Sequence, residues 1–309
     1  MPENNKELYW LHVPLTATRG SLLGADRSHV SVLGKRAQLL TREFSPQLHG
    51  AVSATVVDQW LLFDPMEKAD AEALLDELRA KLPALSLRMR ASFRIDPRHH
   101  LTTSVGETYN GPMPTLIPAD QKPRPVWIDS SMSREQVGWE DWLDTCPPVR
   151  DERLIAALSL YVSASDEMLP RSQFLTYLTI LDSLATQWPR DAVAVAWIDD
   201  KLKEPVAVND GPLSSALANL KEVSHGTAVR ELVNRAAMAQ GLASAEVKLL
   251  TKSAGELYRV RSDLSHAGNL ATPNVSAARK LAELVLEQAI QHPAILDALP
   301  FRPESTASA

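Results

Sequence analysis

Apolar positions divide the first half of the chain into short runs. Three runs bounded by Pro, Gly and Asp carry the β-branched and aromatic residues typical of strands: Leu8 to Leu15, His29 to Leu33 and Ala51 to Phe63. Met66 to Leu82 has leucines at helical spacing, which predicts a helix that Pro83 ends. Leu85 to Ile95 alternates apolar with polar residues, which predicts a strand with one buried face.

The polar face of that last predicted strand is basic. Arg88, Arg90 and Arg94 belong to it, and Arg98 follows. These arginines are either a solvated outer face or a strip that contacts phosphates. Further on, the prolines in 111–125 are too dense for a helix or a central strand, so we expect an extended linker or arm there.

Beyond Pro148 the apolar positions recur at helical spacing. Predicted helices cover Arg153 to Ser163, Gln173 to Thr186, Asp191 to Lys203, Pro212 to Val223, Thr227 to Ala239 and Ser244 to His266. A last helix is predicted to begin with Thr272 as N-cap and to end at His292. We therefore expect an α+β domain of unknown role over 1–146, an all-α helical bundle over 147–302, and a disordered tail over 303–309.

Composition places the chain among ordinary globular proteins. It has 309 residues, of which 45% are hydrophobic and 23% charged, and a net charge of −6, so any contact with RNA has to be local. The single cysteine, Cys146, allows neither an internal disulfide nor a thiolate metal cluster. There is no phosphate loop, dinucleotide fingerprint, long apolar run or signal peptide, so we expect a cytoplasmic protein without cofactor or metal.

The segment from Tyr258 to Gly268, YRVRSDLSHAG, carries the best clue to chemistry. Arg261 can fork onto a phosphate, and His266 can take or give a proton near neutral pH. The pair suits cleavage of a phosphodiester without a metal. Spacing alone is weak evidence, because Arg259 to His266 and three other arginine–histidine pairs match it: Arg42 to His49, Arg94 to His99 and Arg94 to His100. Only the two pairs that end at His266 lie on a predicted helix.

Within a helical bundle, this segment resembles the signature of the HEPN superfamily, most closely the group like the C-terminal domain of ApeA. The residues that carry the resemblance are Tyr258, Arg261, Ser262, His266 and Gly268, with Ala267 inserted before the glycine. An upstream helix of that family also has a counterpart here, with Asp182 where glutamate is usual: Phe174, Tyr177, Ile180 or Leu181, Asp182 and Leu184. The resemblance covers roughly residues 149–291.

The resemblance implies a metal-independent endoribonuclease, in a defence or toxin context such as antiviral defence. His266 would then act as the proton-transfer group, and Arg261 would hold the scissile phosphate. Ser262 would orient either the phosphate or the imidazole. The products would carry 2′,3′-cyclic phosphate ends. The family also contains proteins that only bind or dimerise, so a non-catalytic module for interaction, dimerisation or nucleotide binding is the alternative.

Helix geometry adds a second expectation. On an ideal helix Arg261 and His266 lie about 140° apart, so the helix has to loosen near Gly268 or a second protomer has to complete the site. Family members commonly dimerise, so we expect a homodimer, with the first domain sensing an unknown trigger. Lys248, Lys252 and Arg259 fall within about 40° of His266, which indicates either an RNA track or a solvated face.

Overall fold

The computed structural model describes residues 7–18, 27–44, 56–95, 100–103, 114–121, 138–207, 209–266 and 273–297. The chain divides into two compact units, Met1–Arg150 and Asp151–Ala309. Within the described residues, the first unit is a sheet with two helices, and the second is almost entirely helical. The expected order of an α+β part followed by a helical part is therefore confirmed. The predicted tail at 303–309 lies outside the described residues.

A single sheet forms the core of the first unit. Its strands are β1 (Leu8–Thr18), β2 (Arg27–Val32), β3 (Lys35–Phe44), β4 (Val56–Glu67), β5 (Phe93–Arg94), β6 (Thr102–Thr103) and β7 (Thr115–Pro118). They lie in the order β2-β3-β4-β1-β7-β6, β5 also pairs with β1, and only β6 and β7 are parallel. β1 is central, and its successive residues Leu11, His12 and Val13 are all buried. Three of these strands confirm the predicted ones, whereas β3 was not predicted.

The prediction of a strand over Leu85 to Ile95 is wrong, as is the helix end at Pro83. Helix α1 (Lys68–Met89) includes Pro83 and ends at Arg90, whose φ of 51° is left-handed. Leu85, Ser86 and Leu87 are all buried because this last turn is covered on several sides. Burial on several sides removes the helical period, and the short alternation that remains mimics a strand.

The arginines predicted to share one face do not do so. Arg88 lies on the last turn of α1, Arg90 is its C-cap, and Arg94 lies on β5. The Arg88 guanidinium lies 4.7 Å from the centroid of the Trp142 ring and donates to Thr145 Oγ1 at 2.9 Å. Arg88 therefore ties α1 to helix α2 (Trp139–Thr145), and the single strand predicted to carry all three arginines does not form. Arg98 lies outside the described residues.

Part of the expected proline-rich linker is a strand. β7 lies between β1 and β6, and Thr115, Leu116 and Ile117 are buried. Pro114 and Pro118 flank these buried residues, so the prolines interrupt the ladder only at its ends. Residues 111–113 and 122–125 of that segment lie outside the described residues.

The described part of the second unit contains seven helices: α3 (Glu152–Asp166), α4 (Pro170–Leu184), α5 (Ala192–Ala207), α6 (Gly211–Asn219), α7 (His225–Ala239), α8 (Ser244–His266) and α9 (Val275–Gln291), with a short 3-10 turn at Pro293–Leu296. Each predicted helix is confirmed to within a few residues. Helix α4 packs against α3, α7, α8 and α9, so it occupies the centre of the unit. Phe174, Leu178 and Leu181 accordingly have no solvent-exposed surface.

Polar side chains cap five of these helices and fix where they begin. Asp151, Asp191, Asp210, Ser224 and Asn274 each accept a hydrogen bond from a backbone N–H of the first turn. The prediction of Thr272 as N-cap of the last helix is therefore wrong, because Asn274 takes that role two residues later. Thr272 itself lies outside the described residues.

Candidate functional site

The carboxylate of Asp182 is the centre of a polar cluster where three helices meet. Asp182 lies in the last turn of α4 and is flanked by the buried Leu181 and Leu184. The Asp182 side chain keeps 21% of its surface exposed. The burial of its neighbours on α4 therefore fixes the direction in which this carboxylate points.

Three side chains from two other helices reach Asp182. The Tyr258 hydroxyl on α8 donates to Oδ1 at 3.1 Å, and His225 Nδ1 at the start of α7 lies 3.3 Å from the same oxygen. The Arg261 guanidinium lies 3.4 Å from Oδ2. Tyr258, Arg261 and Asp182 are residues on which the family resemblance depends, and the fold brings them together from positions about 80 residues apart in the chain.

Tyr258 and Arg261 also contact each other along α8. The guanidinium carbon of Arg261 lies 5.5 Å from the centroid of the Tyr258 ring, within the range of a cation–π contact. Burial raises the pKa of Tyr258, and the negative charge of Asp182 raises it further, while Arg261 opposes both. Tyr258 is therefore a neutral hydrogen-bond donor near neutral pH.

A glycine allows α7 to approach the Tyr258 ring. A Cβ atom at Gly226 would lie 3.0 Å from Tyr258 Cδ1, closer than such atoms normally come. Because Gly226 has no side chain, His225 can reach Asp182 beside the ring. His225 was not predicted as a site residue, and nothing in its local sequence marks it, because its partner lies 43 residues away.

The structure places the three predicted catalytic residues on the last two turns of α8. Arg261 is directed towards α4, with 27% of its side chain exposed, and Ser262 is partly exposed. Helix α8 is continuous to its last residue, His266, so it does not loosen between Arg261 and His266. One copy of the helix therefore keeps the angle of about 140° between them. The side chain of His266 and all of Gly268 lie outside the described residues.

Arg171 holds the end of α8 in place. Its guanidinium, in the first turn of α4, donates to the backbone oxygen of Leu264 at 2.7 Å. A cation that bonds a carbonyl in the last turn stabilises a helix end, both by the bond and by the helix dipole. Arg171 was not predicted as a site residue, because its partner is a backbone carbonyl group, which every residue type has.

The three predicted RNA-contacting residues of α8 line one groove. Lys248, Lys252 and Arg259 face α7 across a cavity of about 650 Å³, whose α7 wall carries Arg230 and Asn234. Tyr258 and Gly226 also line this groove, so it reaches the Asp182 cluster. The residues predicted as a basic stripe are thus brought together, and Arg230 is added to them.

The described residues contain neither a metal-binding cluster nor a membrane-spanning helix. No group of three or more His, Cys, Asp or Glu side chains among them is placed to hold a metal ion. Within the same part of the chain, no helix has the length and apolar character needed to cross a membrane. Comparisons with protein-family models, with curated proteins and with solved structures found no match to this chain.

Proposed function

We propose that the helical unit is a metal-independent endoribonuclease of the HEPN type. The observation that supports this proposal best is the contact of Asp182 with both Tyr258 and Arg261. The resemblance linked these residues through two separate sequence motifs, and their proximity is what a shared site requires. The predicted RNA-contacting residues also line a groove that ends at Tyr258.

In the proposed reaction, the 2′-oxygen of a ribose attacks the adjacent phosphorus and the bond from phosphorus to the 5′-oxygen breaks. His266 takes the proton from the 2′-hydroxyl or delivers one to the departing 5′-oxygen, and Arg261 stabilises charge on the phosphate oxygens. Ser262 orients the phosphate or the imidazole. The products are a 2′,3′-cyclic phosphate and a 5′-hydroxyl. DNA is not cleaved, because it lacks the attacking hydroxyl.

Asp182 serves this reaction as a positioning residue. Its ion pair with Arg261 and its bond from Tyr258 hold both side chains against α4. Phosphate and carboxylate compete for the same guanidinium, so RNA binding draws Arg261 partly away from Asp182. We further propose that the protein is a cytoplasmic homodimer that acts in defence, with the first unit as sensor or regulator.

One observation favours the non-catalytic alternative. Arg261 already has a carboxylate partner and an aromatic contact within its own chain, which is typical of a residue that holds helices together. In that case the helical unit would serve in interaction, dimerisation or nucleotide binding, and the loss of Arg261 would affect stability alone.

A cleavage assay separates the two functions. Purified protein is incubated with structured RNA in excess chelator, and the products are tested for 2′,3′-cyclic phosphate ends. We expect His266→Ala to lower the rate by about 10²- to 10⁴-fold, and Arg261→Ala by about 10²- to 10³-fold. His292→Ala, which removes an exposed histidine after α9, is the matched control and should cleave as the wild type does. Equal cleavage by all four proteins, or none by any, excludes the proposed nuclease.

The same assay tests Asp182 with a variant of equal size. Asp182→Asn keeps an oxygen that accepts from Tyr258 but removes the charge that holds Arg261. We expect kcat to fall by roughly tenfold while KM does not rise, since the competing charge has gone. An unchanged kcat with a raised KM would show that Asp182 does not position Arg261 for the reaction.

A further inference from the structure

The groove between α7 and α8 carries more positive charge than the proposed reaction uses. Four cationic side chains line it, Arg230, Lys248, Lys252 and Arg259, against one carboxylate, that of Glu256. Only Lys252 lies near that carboxylate, at 3.7 Å. Among the described residues, no carboxylate is within ion-pair distance of Arg230, Lys248 or Arg259. This part of an acidic protein is therefore locally cationic.

The length of the groove favours a chain of phosphates over a single one. Lys248 and Arg259 are eleven positions apart on α8, which corresponds to roughly 16 Å along the helix axis. A mononucleotide concentrates its charge at one point and would engage only one end of this row. A single strand of nucleic acid places a phosphate near each successive cation.

The other lining groups suit the same ligand. Asn234 and Thr251 offer neutral hydrogen-bonding groups between the cations, and the Tyr258 ring stands at the end that adjoins Asp182. A base can stack on an aromatic ring whatever its sequence, while hydroxyl and amide groups bind sugar and phosphate oxygens. The groove thus offers charge along its length and an aromatic surface next to the Arg261 cluster.

We infer that the α7–α8 groove binds the backbone of single-stranded RNA and leads it to Arg261, with Arg230 as its central contact. The inference rests on the proposed function, because it assigns a path to that function's substrate. It adds α7 to the RNA-binding surface, and it assigns to Arg230 a role in binding RNA that is separate from cleavage.

Gly255 keeps Arg230 in this position. A Cβ atom at Gly255 on α8 would lie 2.9 Å from Arg230 Cδ, so the arginine stem lies directly across the glycine. Any larger residue at position 255 has to push that stem away. Because the stem is flexible, Gly255→Ala displaces the charge of Arg230 without removing it.

Binding is measured separately from cleavage. The probe is a fluorescein-labelled 2′-O-methyl RNA of about 12 nucleotides, which has no free 2′-hydroxyl and resists the proposed reaction. Anisotropy titrations of the full chain are made at several salt concentrations. Arg230→Ala and Arg259→Ala should each weaken binding roughly three- to tenfold, and each should reduce the slope of log affinity against log salt by about 0.7.

Two variants serve as controls. Lys280→Ala removes an exposed lysine of α9, outside the groove lining, and should change neither affinity nor slope. Gly255→Ala preserves the net charge, so a loss of affinity close to that of Arg230→Ala locates the effect in the groove. Circular dichroism of each variant checks that the helical unit is folded.

The outcomes separate this inference from the proposed function. Suppose that the groove variants bind RNA more weakly but the wild type cuts no RNA. RNA binding by the groove is then supported, and the proposed nuclease activity is refuted. If Arg230→Ala and Arg259→Ala cleave RNA with an unchanged KM, RNA binding by the groove is refuted, whereas the proposed nuclease activity is not. Competition by AMP as strong as that by the 12-mer, or no binding by the wild type, also overturns the inference.

Discussion

At the scale of single residues, the three partners of Asp182 are divided unequally between its two carboxylate oxygens. Oδ1 is shared by Tyr258 and His225, while Oδ2 lies near Arg261 at the longer distance of 3.4 Å. The arginine is thus held by charge more than by a short hydrogen bond, and an incoming phosphate can offer it better geometry. This arrangement keeps Arg261 in place without binding it tightly.

His12, in the first unit, gives a second single-residue effect. It is 4% exposed on β1 and packs edge-on against Trp60, with ring centroids 5.7 Å apart. Burial lowers the pKa of His12 to about 4. Since the unfolded chain has the ordinary value of about 6.5, the folded state disfavours the protonated form. The stability from neutral His12 is therefore complete above pH 6.5 and is lost as the pH falls towards 4.

We predict that His12 contributes about 3 kcal/mol to the loss of stability between pH 7 and pH 4. Urea unfolding followed by tryptophan fluorescence measures this in the first unit, which holds five of the seven tryptophans. His12→Leu should flatten the pH dependence by that amount, whereas His100→Leu, at an exposed position, should not. Identical pH profiles for wild type and His12→Leu would contradict the assignment.

At the scale of elements, α1 tolerates a proline in its interior. Pro83 supplies no N–H for the backbone oxygen of Arg79, and its ring crowds the preceding turn. The helix continues to Met89 because Leu85 and Leu87 are buried and because Ser86 Oγ accepts from Phe93 N at 2.9 Å. Tertiary contacts outweigh the local preference of proline.

We predict that Pro83→Ala raises the free energy of unfolding of the first unit by about 1–3 kcal/mol. The alanine restores one helical hydrogen bond and relieves the crowding in α1. Pro170→Ala is the control, because Pro170 lies at the start of α4, where a helix has no use for that N–H. Urea unfolding followed by circular dichroism measures both. A loss of stability in Pro83→Ala would contradict this prediction and show that Pro83 stabilises the first unit.

Helix α1 also shows which features of the fold could be predicted from the sequence and which could not. Most helices of the second unit were predictable because they have one buried face, so their apolar residues repeat at the helical period, although α6 has no buried residue. The end of α1 was not, because residues 84–87 are all buried and no period survives. At the site, Asp182, Tyr258 and Arg261 could be named from their motifs. His225 and Arg230 could not, because their contacts with Asp182 and Gly255 are made between helices, and residue type and spacing do not reveal such contacts.

At the scale of the whole molecule, the unbroken α8 bears on how a complete site forms. Arg261 and His266 are fixed on different sides of one helix. In a two-fold dimer, the arginine of one protomer can face the histidine of its partner, which gives two equivalent sites. The proposed homodimer would therefore be needed for the reaction.

Mixing two inactive variants tests this arrangement. Arg261→Ala and His266→Ala proteins are mixed in equal amounts and allowed to exchange subunits. Half of the dimers are then mixed, and each has one intact site, so about a quarter of the wild-type rate should return. No recovery after verified exchange would place both residues of each site in one protomer.

A dilution experiment with the double variant is the control for that mixture. When wild type is mixed equally with the Arg261→Ala, His266→Ala double variant, every mixed dimer lacks a complete shared site. About a quarter of the wild-type rate should remain, against about half if each protomer works alone. Sedimentation of the same samples checks that dimers are present.

The close approach of Gly226 to the Tyr258 ring has a consequence for how such a chain can diverge. A methyl group at position 226 would lie 3.0 Å from the ring at position 258, so that ring would have to shift by a few tenths of an ångström to admit it. Divergent descendants of this sequence should therefore change the two positions together, an alanine at 226 arising only beside a smaller or differently placed side chain at 258. Two positions that are 32 residues apart would then be inherited as a single compensating pair.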